Sequence, residues 1–270
     1  MGKEVYKMLE LKLKVINKKG DTLQVSDWGS RVSLVHTCEY HEGDFIVLES
    51  NQQNVFVVVS FEDSMGETLI YLQKPSVSFY IPFGEGRICY SPKSFTGDKH
   101  LITARMATEE EVGRYRNLAL NPYDQHGDIG YYPHSTANVE TRGESVFASR
   151  NAVDGIFENS SHGSYPYQSW GINRRPDAEI KLDFGRTVSV DKIALTLRAD
   201  FPHDSYWTQV TLAFSDGSTL TPNLKKVAYP QEISFEKKDI EWVVMKDMKK
   251  AEDESPFPAL TQIEVFGTEK

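Results

Sequence analysis

"LELKLKV", residues 9–15, decides how the first half of the chain folds. Leucine or valine stands at every second position, and charged residues stand between them. Successive side chains of a β-strand point to opposite faces, so this alternation predicts a strand with one buried face. Short apolar runs of similar character, separated by Gly, Asp, Asn or Pro, follow at 31–38, 44–50, 54–61, 67–73, 76–82 and 100–106. They predict seven or eight antiparallel strands within residues 5–106, arranged as a sandwich or jelly roll.

The stretch "ATEEEVGRYR", residues 107–116, interrupts this pattern. Thr108 followed three residues later by Glu111 predicts a capping box at the start of a short helix. Strand-like runs resume at 179–185, 191–199 and 207–214, and "SDGS" at 215–218 predicts a tight turn because Asp-Gly supplies the positive φ that such turns need. The chain is therefore interpreted as all-β with two β-sandwich, jelly-roll-like domains, residues 1–106 and 117–270, joined by the connector 107–116.

Composition excludes two classes of partner. The 270 residues carry a net charge of −9 at pH 7, and neither half of the chain is basic, so no nucleic-acid partner is expected. No apolar run approaches the roughly 20 residues that span a bilayer. The N-terminus lacks the apolar core of a secretory signal, so the cellular localisation stays open. Cys38 and Cys89 each lie beside a strand-like run and are expected to be buried free thiols, with a single disulfide between them left open.

Six segments of the second half follow one another in the order of a known family. They are "NLALNP" at 117–122, "ASRNAVDG" at 148–155, "SWGI" at 169–172, "AEIKLDFGR" at 178–186, "FSDGS" at 214–218 and "TQIEVFG" at 261–267. Residues 116–270 thereby resemble the discoidin, or coagulation factor 5/8 type C, family, which includes the family 32 carbohydrate-binding modules. The resemblance implies an eight-stranded, galactose-binding-like jelly roll that binds its ligand through loops at one end. The first domain resembles only a generic jelly roll, and its role is unknown.

The resemblance also implies a structural calcium ion. Asp154 matches the carboxylate of the family's "NAVDG"-like motif, and Thr261 with Gln262 matches the position before the last strand, where a Glu is usual. Calcium prefers several oxygen ligands that include carboxylates, and its affinity falls with the charge of the ligand set. Gln262 offers a neutral oxygen at best, so the presence of calcium remains an open expectation.

The stretch "RADFPHDSYW", residues 198–207, is the first candidate for the binding loop. Sugars present hydroxyls, which need donors and acceptors, and apolar C–H faces, which pack on aromatic rings. Pro202 restricts the loop and lowers the cost of ordering it on binding. The residues expected to contact a glycan here are Arg198, Asp200, His203, Asp204, Tyr206 and Trp207. The alternative is a loop held by internal salt bridges, with Trp207 in the core.

Two further stretches are candidates. Residues 131–144 contribute His134, Glu140 and Arg142, and the resemblance implies that this loop joins the binding end; the alternative is a solvated loop held by a Glu140–Arg142 pair. Residues 159–177 contribute His162 and Arg174, and the alternative there is that Arg174 and Arg175 are a plain solvated pair. A forked guanidinium such as that of Arg174 suits a carboxylate or an anionic sugar. Trp170 is expected to pack in the core.

The favoured hypothesis is a non-catalytic carbohydrate-binding protein. Two alternatives stay open. A glycan-processing enzyme would use Asp200, His203, Asp204 and Glu140, with two of the three carboxylates paired at a defined spacing. A structural protein-interaction module would expose a large apolar patch.

Overall fold

The computed structural model describes residues 8–199 and 205–270. Its first unit contains the strands β1 (Leu11–Ile16), β2 (Thr22–Val25), β3 (Arg31–His36), β4 (Phe45–Ser50), β5 (Val55–Ser60), β6 (Thr68–Leu72), β7 (Ser76–Tyr80) and β8 (His100–Met106). After the helix α1 (Glu109–Gly113) come β9 (Arg116–Asn117), β10 (Tyr131–Tyr132), β11 (His134–Ala137), β12 (Trp170–Gly171), β13 (Ile180–Leu197), β14 (Trp207–Phe214), β15 (Thr219–Leu220), β16 (Gln231–Lys250) and β17 (Ala259–Glu269). Every pairing is antiparallel, which confirms the predicted all-β fold class.

The first unit consists of two sheets that share one core. One sheet has the order β2-β1-β4-β7, and the other has the order β10-β6-β5-β8-β3. The alternation in residues 9–15 buries its leucine and valine face as predicted, and Leu11, Leu13 and Val15 are fully buried. The eight strands β1–β8 agree with the predicted seven or eight, although β2 has no buried side chain and was not among the predicted runs.

Two long strands, β13 and β16, each contribute to both layers of the second unit. The first part of β13 pairs with β11 and with the second part of β16, whereas its last part pairs with β17 and the first part of β16. The change takes place between Asp183 and Val188, where the register of β13 against β16 shifts and Gly185 adopts φ +68°. Since the two parts have different neighbours, the single eight-stranded sheet bends into two layers around one apolar core. The runs 179–185 and 191–199, predicted as separate strands, are therefore one bent strand.

The connector has the predicted capping box. The Thr108 hydroxyl accepts a hydrogen bond from the Glu111 backbone N–H, and the Glu111 side chain accepts one from the Thr108 backbone N–H. In the second unit, Phe214 and Ser218 close the predicted tight turn, in which Gly217 has φ +84°.

The segment that follows the connector packs into the first unit. Tyr123 and Tyr131 are fully buried in the first unit's core, and the Tyr123 ring lies 5.1 Å from that of Phe61. The Tyr123 hydroxyl donates to the Gly66 carbonyl at 2.7 Å, and β10 extends the sheet next to β6. A segment that follows the connector thus joins the two units.

Both cysteines are free thiols, as predicted, but Cys38 is exposed and only Cys89 is buried. Cys38 follows the end of β3 and lies outside the strand whose buried face was expected to cover it. The described residues contain no helix long and apolar enough to cross a membrane.

Candidate functional site at the strand ends of the second unit

A cavity of about 120 Å³ lies where three neighbouring strands of the second unit end. Strand β17 runs between β12 and β13, so Gly171 at the end of β12, Ala259 at the start of β17 and Arg198 just after β13 are neighbours. The Arg198 backbone N–H donates to the Ala259 carbonyl at 3.1 Å. The cavity is lined by Thr141, Arg142, Phe147, His162, Gly171, Ile172, Asn173, Arg174, Arg198, Phe257, Pro258 and Ala259. Four of the predicted ligand-binding residues, Arg142, His162, Arg174 and Arg198, therefore meet in one place.

Arg198 is the buried cation of the cavity. Its side chain is 3% exposed, and its Nη1 donates to the Ser169 hydroxyl at 3.3 Å. Its Nε has no hydrogen-bond partner among the residues that the structure describes. Burial lowers the pKa of the guanidinium to about 10, so it stays protonated at neutral pH. A buried N–H without a partner is costly, and a ligand oxygen in the cavity would relieve that cost.

Two exposed arginines form the rim. The Arg142 guanidinium lies 5.4 Å from the centre of the Phe147 ring and donates to the Glu144 carboxylate, which raises the pKa of Arg142. The Arg174 guanidinium lies 4.4 Å from the centre of the Phe257 ring. Aromatic faces attract cations and limit their motion, so both guanidinium groups are held at the cavity mouth.

The backbone around the cavity is strained. Among the described residues six that are not glycine have positive φ, and three of these, Arg142 (55°), Asn173 (48°) and Arg174 (59°), line this cavity. Such conformations persist only where the surrounding structure fixes them, and they concentrate at binding sites. Here the Thr141 hydroxyl accepts a hydrogen bond from the Asn173 backbone N–H at 2.9 Å. Gly171 belongs to the same contact, because a Cβ at this position would lie 2.6 Å from the Thr141 hydroxyl oxygen.

Other predicted site residues lie elsewhere. The His134 ring nitrogen Nδ1 contacts the buried Asp124 carboxylate at 2.6 Å. Burial lowers the pKa of His134, but the hydrogen bond and the charge of Asp124, together with the charge of Asp183, outweigh it and raise the pKa. The Glu140 carboxylate binds His126 Nε2 at 2.8 Å and the Ser149 backbone N–H at 2.8 Å. Both residues hold loops of the second unit in place.

The first candidate for the binding loop, residues 198–207, divides into three parts. Arg198 lines the cavity, whereas Trp207 is 1% exposed and packs in the core, 6.4 Å from the equally buried Trp170. Tyr206 is partly buried against the same core. Asp200, His203 and Asp204 lie outside the described residues.

Two of the three expected calcium ligands, Asp154 and Gln262, bind each other. Gln262 Nε2 donates to Asp154 Oδ1 at 2.7 Å, and Gln168 Nε2 donates to Asp154 Oδ2 at 2.9 Å. The Thr261 hydroxyl is buried without a hydrogen-bond partner among the described residues. Within residues 8–199 and 205–270 no three His, Cys, Asp or Glu side chains converge as a metal-binding group. Because amide N–H groups already face both Asp154 oxygens, these residues fit poorly to a cation that needs several free oxygens.

Several lining residues gave no clear sequence signal. Phe147 and Asn173 sit in irregular segments whose course depends on tertiary contacts. Phe257 stands between two prolines, in "SPFPAL" at 255–260. An aromatic residue in a stiff loop before the last strand is the sequence feature that could have identified it as a site residue. Together the lining residues offer charged hydrogen-bond donors above apolar rings, which suits a small ligand with oxygen acceptors and an apolar face.

The comparisons with known proteins give matches among solved structures only. No protein-family model matches the sequence, and no curated protein does. A lectin domain of lectinolysin, solved with the Lewis b antigen, is 20% identical and has a TM-score of 0.41, with 56% of this chain and 96% of that chain covered. Chitosan-binding module 1 of a chitosanase/glucanase from Paenibacillus sp. IK-5 is 19% identical, with a TM-score of 0.41 and coverage of 56% and 98%.

A third similar structure is the family 32 carbohydrate-binding module of C. perfringens NanJ, solved with galactose. It is 16% identical, with a TM-score of 0.38, and 49% of this chain and 91% of that chain are covered. The likeness of these structures to the chain concerns the β-sandwich fold.

Proposed function

We propose that the chain binds a carbohydrate in the cavity at the ends of β12, β13 and β17, without cleaving it. The observation that carries the proposal is Arg198, a buried guanidinium that lines the cavity with its Nε unpartnered among the described residues. A sugar hydroxyl or carboxylate oxygen is an acceptor that suits this donor.

The rim supports the same interpretation. The rings of Phe147 and Phe257 lie behind the guanidinium groups of Arg142 and Arg174, so the cavity presents charged donors next to apolar surface. Sugars combine hydroxyls with apolar C–H faces, and this mixture suits them better than a purely apolar or purely charged ligand.

A cleavage function has weaker support. Glycoside hydrolysis needs two carboxyl groups that flank the bond. Glu140, the described member of the candidate acid set, is bound to His126 and to the Ser149 backbone, and the described lining of the cavity contains no carboxylate. Binding without turnover is therefore the proposal.

The experiment is a glycan array with the full chain, followed by calorimetric titration with simple galactose and glucosamine sugars and with any sugar that the array identifies. Arg174→Ala is expected to weaken binding about tenfold or more, since a hydrogen bond to a charged group contributes roughly 1.5–3 kcal/mol. Arg175→Ala is the matched control, because Arg175 is the next residue, is exposed, and pairs with Asp177 away from the cavity.

Both arginines are exposed, so neither variant removes core packing, and equal melting temperatures verify that both fold. Arg198→Lys then tests the buried donor, with the melting temperature measured alongside. Absence of saturable binding to every sugar by a folded full chain would refute the proposal, as would equal affinities of the Arg174 and Arg175 variants.

A further inference from the structure

We infer that the Gln262 amide and the buried Arg150 guanidinium stabilise the Asp154 carboxylate in place of the expected calcium ion. The second unit therefore folds independently of calcium. The inference concerns the site around Asp154 and does not depend on what the cavity binds. It rests on which atoms face the Asp154 carboxylate and on the direction in which each hydrogen bond is donated.

Both oxygens of the Asp154 carboxylate are already used. Oδ1 accepts from the Ile156 backbone N–H at 2.9 Å and from Gln262 Nε2 at 2.7 Å. Oδ2 accepts from Gln168 Nε2 at 2.9 Å. A calcium ion binds oxygens at 2.3–2.6 Å and would have to displace these donors. The carboxylate therefore acts as a hydrogen-bond acceptor inside the protein.

The orientation of the Gln262 amide is determined by three partners. Its Oε1 accepts from the Gly155 backbone N–H at 3.0 Å, while its Nε2 donates to the Asn151 carbonyl at 2.7 Å as well as to Asp154. In the reversed orientation Oε1 would face two acceptors and Nε2 would face a donor, so all three bonds would be lost. The group that points toward Asp154 is an N–H, which cannot coordinate a cation.

Positive charge is supplied from within the chain. Arg150 Nη1 lies 4.0 Å from Asp154 Oδ2, and the whole Arg150 side chain is buried. The guanidinium donates to the carbonyls of Pro122 at 2.7 Å and Asp124 at 3.0 Å and lies 4.4 Å from the centre of the Tyr90 ring. A buried carboxylate needs a compensating charge, and Arg150 provides it while disfavouring a second cation nearby.

Two side-chain oxygens remain in this region. The Thr261 hydroxyl and Gln168 Oε1 are both buried without a partner in the described part of the chain. Two neutral oxygens are far from the six to eight ligands that calcium takes. They do not restore a cation site.

The first experiment compares thermal unfolding of the full chain in EDTA and in excess CaCl2, together with calorimetric titration of CaCl2. We expect the same melting temperature in both buffers and no saturable heat. Calcium at a hundred times its Kd would raise the melting temperature by roughly 5 °C or more. Saturable binding that disappears in Asp154→Asn would overturn the inference.

The second experiment tests the amide directly. Gln262→Glu keeps the shape of the side chain but replaces the donating N–H by an oxygen that faces Asp154 and the Asn151 carbonyl. We expect its melting temperature in EDTA to fall by roughly 5 °C or more, since a buried donor is exchanged for a repelling charge.

The matched control is Gln53→Glu, which makes the same chemical change at an exposed position of the first unit and is expected to leave the melting temperature unchanged. If Gln262→Glu unfolds at the same temperature as Gln53→Glu, the amide does not hold Asp154 and the inference fails.

Discussion

Replacing Gly267 by alanine is expected to destabilise the protein strongly, because the backbone of β13 occupies the space that a side chain would need. Gly267 lies in β17 opposite Val190 of β13. A Cβ on Gly267 would lie 2.1 Å from the Ser189 carbonyl oxygen and 2.9 Å from Val190 Cα. The atoms in the way belong to the backbone, so no rotation of a side chain can relieve the contact, and the two strands must separate.

The magnitude follows from the cost of overpacking. Inserting a methyl group into a filled site costs about 1–3 kcal/mol and occasionally more. A contact with backbone in the middle of a strand pair belongs at the upper end, about 3 kcal/mol, which corresponds to a fall in melting temperature of roughly 6–12 °C for a protein of this size. Differential scanning calorimetry or circular dichroism of the full chain measures it.

The matched control is Gly113→Ala. Gly113 ends α1, has no atom within 4 Å of its hypothetical Cβ, and has no positive φ. Alanine there is expected to leave the melting temperature unchanged or slightly higher, since it favours the helix. A Gly267→Ala variant that melts within about 2 °C of the unmodified protein would refute the reasoning from backbone contact.

Two further predictions concern buried charge. His36 is buried with both ring nitrogens unpartnered among the described residues. Burial, with a smaller effect of His100, lowers its pKa below the ordinary value of about 6.5, so the unmodified chain loses stability as the pH falls from about 6.5 toward that lowered pKa. The stability of His36→Phe relative to the unmodified chain should therefore rise from about pH 7.5 to about pH 5.5 in urea titrations, and a pH-independent difference would contradict this. Arg150→Met should lower the free energy of unfolding by about 3–5 kcal/mol in the same assay, because Asp154 loses its compensating charge. Arg31→Met, at an exposed position, should lower it little. Equal losses in the two variants would contradict the role of Arg150.

Local patterns were sufficient to predict most of the strands. The alternation in residues 9–15, the capping box at Thr108 and the Asp-Gly turn at 215–218 each depend on neighbours within a few positions, and each is present in the structure. The course of residues 121–132 depends instead on how Tyr123 and Tyr131 fit into a core formed by distant strands. Sequence spacing carries no information about such a fit, so the packing of this segment into the first unit was not predicted.

The candidate site was predictable only in part, for a related reason. The position of Arg198 next to the end of a strand was predictable, because the apolar run that precedes it indicates a strand by itself. The left-handed backbone of Arg142 and Arg174 and the contact of each guanidinium with a phenylalanine ring are set by tertiary packing. The single bent strand β13 likewise looked like two strands, because the register shift after Asp183 interrupts the alternation.

One wall of the cavity belongs to both halves of the protein. Phe147 lines the cavity, yet its ring is part of the first unit's core, and the turn that carries it is held by hydrogen bonds from Ser145 to Glu85 of the first unit. A gene rearrangement that moved residues 117–270 alone to another protein would leave that wall without its support and the first unit without three aromatic side chains. We therefore expect the two halves to be inherited together. Recombination at the boundary between residues 1–106 and 117–270 would disrupt the packing of both halves.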